Sequence, residues 1–488
     1  MAHELIKNFI NGEWVPARSG RTTANINPAT GESLGEVVVS GREEAEAAVK
    51  AAKAALPSWR RTPAPRRAEI LAKAAIEMGR RKEELARALT LEEGKTLSES
   101  LGEVQKAINN IEFQSGEGRR LNGETVPSEL PSTFCWTQRS PLGVVALVTP
   151  WNFPVAIPVW KLCPALVCGN TVVLKPASIT PWCAQIIAEI FTTAGLPKGV
   201  FNVVFGPGSS VGDTLVTHPD IAAVSFTGSN EVGLKLYAEG AAHHKKVQCE
   251  MGGKNPLIVL EDGDLELAAT AAVQGAFGST GQRCTATSRA VVISSVAAEF
   301  TRLVVEKARQ LKVGDGMQPG VSIGPCVDEH QFRSVMSYFE VGKKEAKLAL
   351  GGERVGDQGF FVAPTVFTGV EHSMRIAQEE VFGPVLAILE VKDFEEGMKV
   401  ANGVKYGLTS SIFTRDVGRV FQFLEQIETG ITHVNSPTVG GEAQLPFGGM
   451  KSTGVGGREM GRTAIEFFSE WKTVYVDYTG SKRTSNIY

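Results

Sequence analysis

The spacing of apolar positions changes character along the chain. Phe9-Ile10-Asn11-Gly12-Glu13-Trp14-Val15 reads as a strand, and the turn Asn27-Pro28-Ala29-Thr30-Gly31 leads to a second strand ending at Val39. Ser40, with Glu43 three residues on, is a capping-box signature that opens an alanine-rich helix stopping at Pro57. Amphipathic helical segments then fill 66 to 116. Residues 118 to 140, with Asn122-Gly123 and Pro127, read as an extended hairpin arm. From 141 short apolar runs alternate with helical segments: Val144–Val148, Thr171–Leu174, Phe201–Val204 and Ala222–Phe226, each closed by turn residues. That alternation predicts a doubly wound parallel sheet.

A second alternation starts near Pro256-Leu257-Ile258-Val259-Leu260, runs to about 472, and includes Ala286–Ile293. The expected fold class is therefore α/β, with two doubly wound parallel-sheet lobes and a small β arm. The lobes are 1–117 with 141–253, and 254–472; the arm is 118–140 with 473–488. The tail Thr473-Val474-Tyr475-Val476-Asp477-Tyr478 reads as a strand in need of a partner. Pairing with another subunit would satisfy its backbone, so a homodimer or homotetramer is expected.

Composition narrows the function. A chain of 488 residues allows about two to three domains. A formal net charge of −3 gives no field suited to nucleic acid or a charged membrane, which favours a small-molecule ligand. The first residues lack a signal-peptide run and no stretch has the apolar length of a membrane span, so a cytoplasmic protein is expected. Cysteines 135, 163, 168, 183, 249, 284 and 326 are an odd, scattered set without C-x-x-C pairs, arguing for reduced thiols and against a structural metal.

Cys284 stands apart because it sits among Gly278, Ser279, Thr280, Gly281, Gln282, Arg283 and Thr285 rather than in an apolar run. Glu250 precedes it in Gln248-Cys249-Glu250-Met251-Gly252-Gly253-Lys254. A thiolate that forms a covalent intermediate, and a carboxylate that activates water, are a recognisable pair of chemical tools. Cys249 reads as a packing residue. The segments Thr149-Pro150-Trp151-Asn152-Phe153-Pro154, Leu174-Lys175-Pro176-Ala177-Ser178, Phe226-Thr227-Gly228-Ser229, Glu250–Lys254, Gly281-Gln282-Arg283-Cys284, Glu380-Val381-Phe382-Gly383-Pro384 and Pro446-Phe447-Gly448-Gly449-Met450-Lys451 occur in this order. Together they resemble the NAD(P)-dependent aldehyde dehydrogenase superfamily over nearly the whole chain.

That resemblance implies a Rossmann-like dinucleotide-binding lobe at 1–117 and 141–253, a catalytic lobe at 254–472 and an oligomerisation arm. It implies Cys284 as nucleophile, Asn152 with the Cys284 backbone N–H as oxyanion donors, and Glu250 as the base that activates water. Arg283 would favour the thiolate by its charge. Lys175 would bond the adenosine ribose and belongs with both the catalytic and the cofactor set. Cofactor contacts are further implied for Thr149, Pro150, Trp151, Ala177, Ser178, Gly208, Gly212, Phe226, Thr227, Gly228, Ser229, Gly233, Glu250, Gly252, Glu380 and Phe382. Strictly NAD-dependent members tend to carry glutamate where Ser178 stands, so NADP is expected to be accepted, beside NAD. Tunnel positions of the family fall on Asn152, Phe153, Trp160, Arg283 and Phe447. Arg283 is the cation among them and suits a carboxylate, favouring an ω-carboxylated semialdehyde such as 2-oxoglutarate semialdehyde. Succinate semialdehyde and other aldehydes are alternatives. A CoA-acylating enzyme, or an idle structural relative, would not be expected to keep Glu250.

Overall fold

The computed structural model describes residues 4–480. Its first sheet has the strand order Glu13–Val15, Asn8–Ile10, Phe201–Val203, Thr171–Lys175, Val144–Val148, Ile221–Thr227, Lys246–Glu250, Gly454–Val455. The strands from Phe201–Val203 to Lys246–Glu250 run parallel, and antiparallel strands close both sides. Val144–Val148 and Thr171–Lys175 are buried throughout, as expected of runs covered by helices on both faces. Chain order reverses between Val144–Val148 and Ile221–Thr227, and a crevice opens there at the carboxyl ends of the strands.

The second sheet is ordered Lys347–Leu350, Thr365–Thr368, Val385–Val391, Thr287–Ile293, Asn255–Val259, Thr409–Phe413, Ile431–Val434, parallel except for the first strand. Each sheet has an apolar cluster on either face. Met251–Lys254 links the last parallel strand of the first sheet to Asn255–Val259 of the second, so the crevice lies where the lobes meet. Helices Ala64–Arg80, Lys82–Glu93 and Leu97–Glu117 fill the amphipathic stretch expected at 66 to 116.

Three local expectations need correction. Asn11 and Gly12 both have positive φ, 55° and 78°, and fold the opening run into two short strands joined by a tight turn. The first long helix is Arg42–Arg61, with Gly41 and Glu44 in the capping roles, one residue later than Ser40 and Glu43. It also passes through Pro57: the carbonyl this leaves unbonded belongs to exposed Lys53, while Trp59 buries itself in the last turn and holds it.

The tail strand has its partner within the chain. Ser469–Asp477 pairs antiparallel with Thr133–Pro141 from Ser469↔Pro141 to Asp477↔Thr133, and Thr125–Val126 adds an edge. Large apolar side chains remain exposed on this arm, among them Phe134, Trp471, Tyr475 and Tyr478. Residues 481–488 of the expected arm lie outside the described residues. Among the described residues no helix is long and apolar enough to cross a membrane.

Candidate active site

Cys284 ends a loop that the chain holds from several sides. Ser279, Thr280 and Gly281 all have positive φ. Gly281 has no substitute, since a Cβ there would stand 2.1 Å from the Gly383 carbonyl oxygen. Thr280 Oγ1 donates to the Gly324 carbonyl at 3.0 Å, Gln282 Oε1 accepts from Val327 N at 3.0 Å, and Asn255 Nδ2 donates to the Cys284 carbonyl at 2.7 Å. Such over-determined strain fixes the thiol in place. The other six cysteines are buried and Cys284 is not. Its surroundings are nonetheless dry: burial, with the charges of Glu380 and Glu250, pushes the thiol up to about 12, and Lys106 pulls the other way. Arg283, expected to supply that help, is instead tied to Ser279 Oγ at 2.8 Å and Glu99 Oε1 at 3.2 Å.

Two cavities share Cys284 as a wall. The first, about 230 Å³, is lined by Pro150, Trp151, Asn152, Thr227, Gly228, Ser229, Gly252, Glu380 and Phe382, together with Ile157, Met251 and Gln331. Trp151 and Phe382 meet edge to face at 5.4 Å. Ser229 Oγ caps the helix Asn230–Ala242, whose first turn therefore faces the crevice. Glu380 accepts the Gly253 N–H at 2.8 Å, and burial lifts its carboxyl to about 7. A Cβ on Gly252 would stand 2.1 Å from Glu380 Oε2, so any side chain there would push the carboxylate aside. Gly233 lies behind, against Met251, and Phe226 turns into the core. Thr149 is buried and its Oγ1 has no hydrogen-bond partner among the described residues.

Lys175, Ala177, Ser178, Gly208 and Gly212 gather at the neighbouring strand ends. Lys175 is buried without an acidic partner, its Nζ bonded to the Pro176 carbonyl at 2.9 Å, and burial lowers it to about 8. Ser178 Oγ donates to the Gly206 carbonyl at 3.2 Å. A buried cation, an orphaned threonine hydroxyl, a capped helix start and a glycine-made gap beside a carboxylate are together suited to a ribose–pyrophosphate chain.

The second cavity, about 280 Å³, is lined by Phe153, Trp160, Arg283 and Phe447, with Lys106, Glu99, Glu103, Ile157 and the loop Val439–Gly441. Trp160 and Phe447 pack with centroids 5.3 Å apart, and Trp160 Nε1 donates to Glu459 Oε2 at 2.7 Å. Asn152 lines the first cavity beside Cys284 and is absent from the lining of the second. One of its amide hydrogens goes to the Gln282 carbonyl at 3.0 Å, which leaves the other for a ligand. Its own carbonyl accepts from Lys95 Nζ at 2.6 Å, and Lys95 also donates to Glu103 at 2.7 Å. Glu103 Oε1 in turn accepts the N–H groups of Val155 and Ala156 at 2.9 and 3.1 Å, capping the helix Ala156–Cys168.

Glu250 closes the strand Lys246–Glu250 and lines neither cavity. Its carboxylate accepts the Gly449 N–H at 3.3 Å, and burial followed by the charge of Glu459 raises it well above the usual carboxylate range. Glu459 is itself held by Trp160, Thr227 and a buried ion pair with Lys161. Sequence reading missed Lys95, Glu99, Glu103, Lys106 and Glu459. For Glu99, Gly102, Glu103 and Lys106 the signal was present as helix-face spacing in Leu97–Glu117; for Glu459 no local pattern exists.

A thiol on the wall between a polar, glycine-lined crevice and an aromatic one is suited to an enzyme that acts on a small electrophile beside a bound cofactor. A profile of the Aldehyde dehydrogenase family matches residues 14–474, and the chain belongs to that family. It is 46% identical over 476 residues to the alpha-ketoglutaric semialdehyde dehydrogenase of Bacillus subtilis (strain 168), covering 96% of this chain and 97% of the relative. Among solved structures it resembles an E. coli NADP dependent enzyme, with a TM-score of 0.94, 38% identity and 97% and 98% of the two chains covered. Betaine aldehyde dehydrogenase from Staphylococcus aureus in complex with NAD+ gives a TM-score of 0.95 at 34% identity, covering 98% and 95%.

Proposed function

We propose that this aldehyde dehydrogenase oxidises 2-oxoglutarate semialdehyde to 2-oxoglutarate, using NADP or NAD and releasing the free acid. The observation that carries the reading is the position of Cys284 on the wall shared by the two cavities. The name of the Bacillus subtilis relative and the cationic side chains of the aromatic cavity support the choice of substrate.

In this reading the aldehyde lies in the aromatic cavity, with its carbonyl carbon at Cys284. As the S–C bond forms, the thiol passes its proton to solvent and the carbonyl electron pair moves to oxygen. The free amide hydrogen of Asn152 and the Cys284 backbone N–H hold that oxyanion. Lys175, Ser178 and the Gly208–Gly212 turn hold the adenosine half of the dinucleotide; Thr149–Trp151, Thr227–Ser229, Gly252, Glu380 and Phe382 hold the nicotinamide half. A nicotinamide held there would supply the hydride acceptor for the carbon that Cys284 carries, and the sulfur would be left bearing a thioester.

Glu250 then removes a proton from water, which attacks the thioester carbon; the C–S bond breaks and the sulfur regains its proton as the acid leaves. A carboxyl raised by burial is a stronger base, once ionised, than an exposed one. Its 3.3 Å tether to Gly449 is weak, so the side chain can turn toward Cys284. Serine at 178 leaves room for a 2′-phosphate without like-charge repulsion.

The wider organisation follows from the same reading. Residues 1–117 and 141–253 bind dinucleotide, 254–472 carry catalysis, and the arm with its exposed Phe134, Trp471 and Tyr475 joins subunits into a homodimer or homotetramer of a cytoplasmic enzyme. The deciding experiment is a panel of aldehydes with NAD and NADP in the absence of CoA. 2-Oxoglutarate semialdehyde should give the highest kcat/KM. Higher values for an uncharged aldehyde of equal length, or turnover that requires CoA, would reject the reading.

A further inference from the structure

Lys106 is the charged side chain to which the reaction above gives no task. It enters the aromatic cavity from the helix Leu97–Glu117, its Nζ 5.1 Å from the Trp160 ring centroid and 5.8 Å from that of Phe447. The neighbouring charges are already engaged. Glu103 is held by Lys95 and by the N–H groups of Val155 and Ala156, while Glu99 is held by Arg283 and the Ser279 N–H. Arg283 divides its donors between Glu99 and Ser279 Oγ. Among the described residues Lys106 Nζ has no hydrogen bond and no ion pair.

An ammonium held against ring faces in a cavity has given up part of its hydration, which the rings replace only in part. A carboxylate entering the cavity would restore the balance through a charge-assisted contact. Gly441 lies beside Lys106, where a Cβ would stand 3.6 Å from Nζ, and adds no side chain to that approach. Arg283, the cation that sequence reasoning favours, has far less to gain.

We propose that Lys106 receives the terminal carboxylate of the substrate while Cys284, on the wall of the same cavity, takes its aldehyde, and that Arg283 serves the protein by fastening Glu99 to Ser279. The assignment rests on the carboxylated-aldehyde reading given above. Lys106 is a specificity residue in this scheme, and the quantity it controls is preference between charged and uncharged aldehydes of one length.

The test compares 2-oxoglutarate semialdehyde with pentanal in the wild-type enzyme and in Lys106→Met, Lys106→Arg and Arg283→Met. The ratio of the two kcat/KM values should fall about 100-fold in Lys106→Met, chiefly through KM for the semialdehyde, as expected when one partner of a buried charge pair is removed. Lys106→Arg should restore most of the ratio, and Arg283→Met should change it less than Lys106→Met does. A second readout needs no turnover: glutarate should slow alkylation of Cys284 by iodoacetamide in the wild type and lose that effect in Lys106→Met. An unchanged ratio in Lys106→Met, an equal loss for both aldehydes, or a larger collapse in Arg283→Met would overturn the assignment. If the wild type shows no preference for the semialdehyde, the substrate reading falls by itself. Glutarate protection then decides on Lys106 alone: its loss in Lys106→Met upholds the anion site, and its retention rejects it.

Discussion

The two cavities that meet at Cys284 are built by different means. The one lined by Trp151, Gly228 and Gly252 takes much of its wall from loops that leave strand ends of the first sheet, and much of that wall is backbone. The one lined by Phe153, Lys106, Trp160 and Phe447 is made of side chains from helices and a distant loop. A site made of backbone must keep its glycines and turns together in sequence, whereas a site made of side chains can be altered one residue at a time. The first is thus suited to a constant partner and the second to a variable one.

Substitutions can break or sharpen this contrast. The largest effect belongs to the shared wall: Cys284→Ser should reduce aldehyde oxidation by about 10⁴-fold or more while dinucleotide binding, followed by nucleotide fluorescence quenching, persists. Asn152→Ala removes the proposed oxyanion donor in the first cavity and should lower kcat by about 10²- to 10³-fold with a smaller change in KM. On the backbone-built side, Ser178→Glu places a carboxylate where a 2′-phosphate would lie and should cut kcat/KM for NADP about 30-fold relative to NAD. The smallest effect concerns acidity. Since burial raises the Cys284 thiol to about 12, the thiolate fraction of the free enzyme is low at neutrality and grows with pH. Alkylation by iodoacetamide should therefore climb about tenfold per pH unit between 7 and 9 without levelling off. A plateau below pH 9 would mean a thiol less shielded than its surroundings imply.

The same contrast explains what could be read from the sequence. Val144–Val148 and Thr171–Lys175 were legible because strands buried on both faces leave unbroken apolar runs, and Trp151, Gly228 and Gly252 sit in contiguous motifs beside them. The helix-face spacing of Lys106 with Glu99 and Glu103 was legible, but nothing near it in the chain says that Trp160 and Phe447 lie across from it. The partner of Arg283 was hidden for a related reason: its neighbour Cys284 is local, but the carboxylate that pairs with it, Glu99, is not. The tail strand was recognised by its alternation, while its partner, Thr133–Pro141, depends on how the whole chain closes. Pro57 was taken as a stop because local rules weigh the lost backbone bond and cannot weigh the burial of Trp59.

The helix Leu97–Glu117 contributes Lys106 to one purpose and Glu103 to another, the latter through Lys95 and the amides at Val155 and Ala156 that seat the Asn152 loop. Selectivity and catalytic posture are consequently inherited together. An exchange of this segment between relatives would transplant a preference along with the scaffold that makes it productive, and a change made to retune the one will be felt by the other.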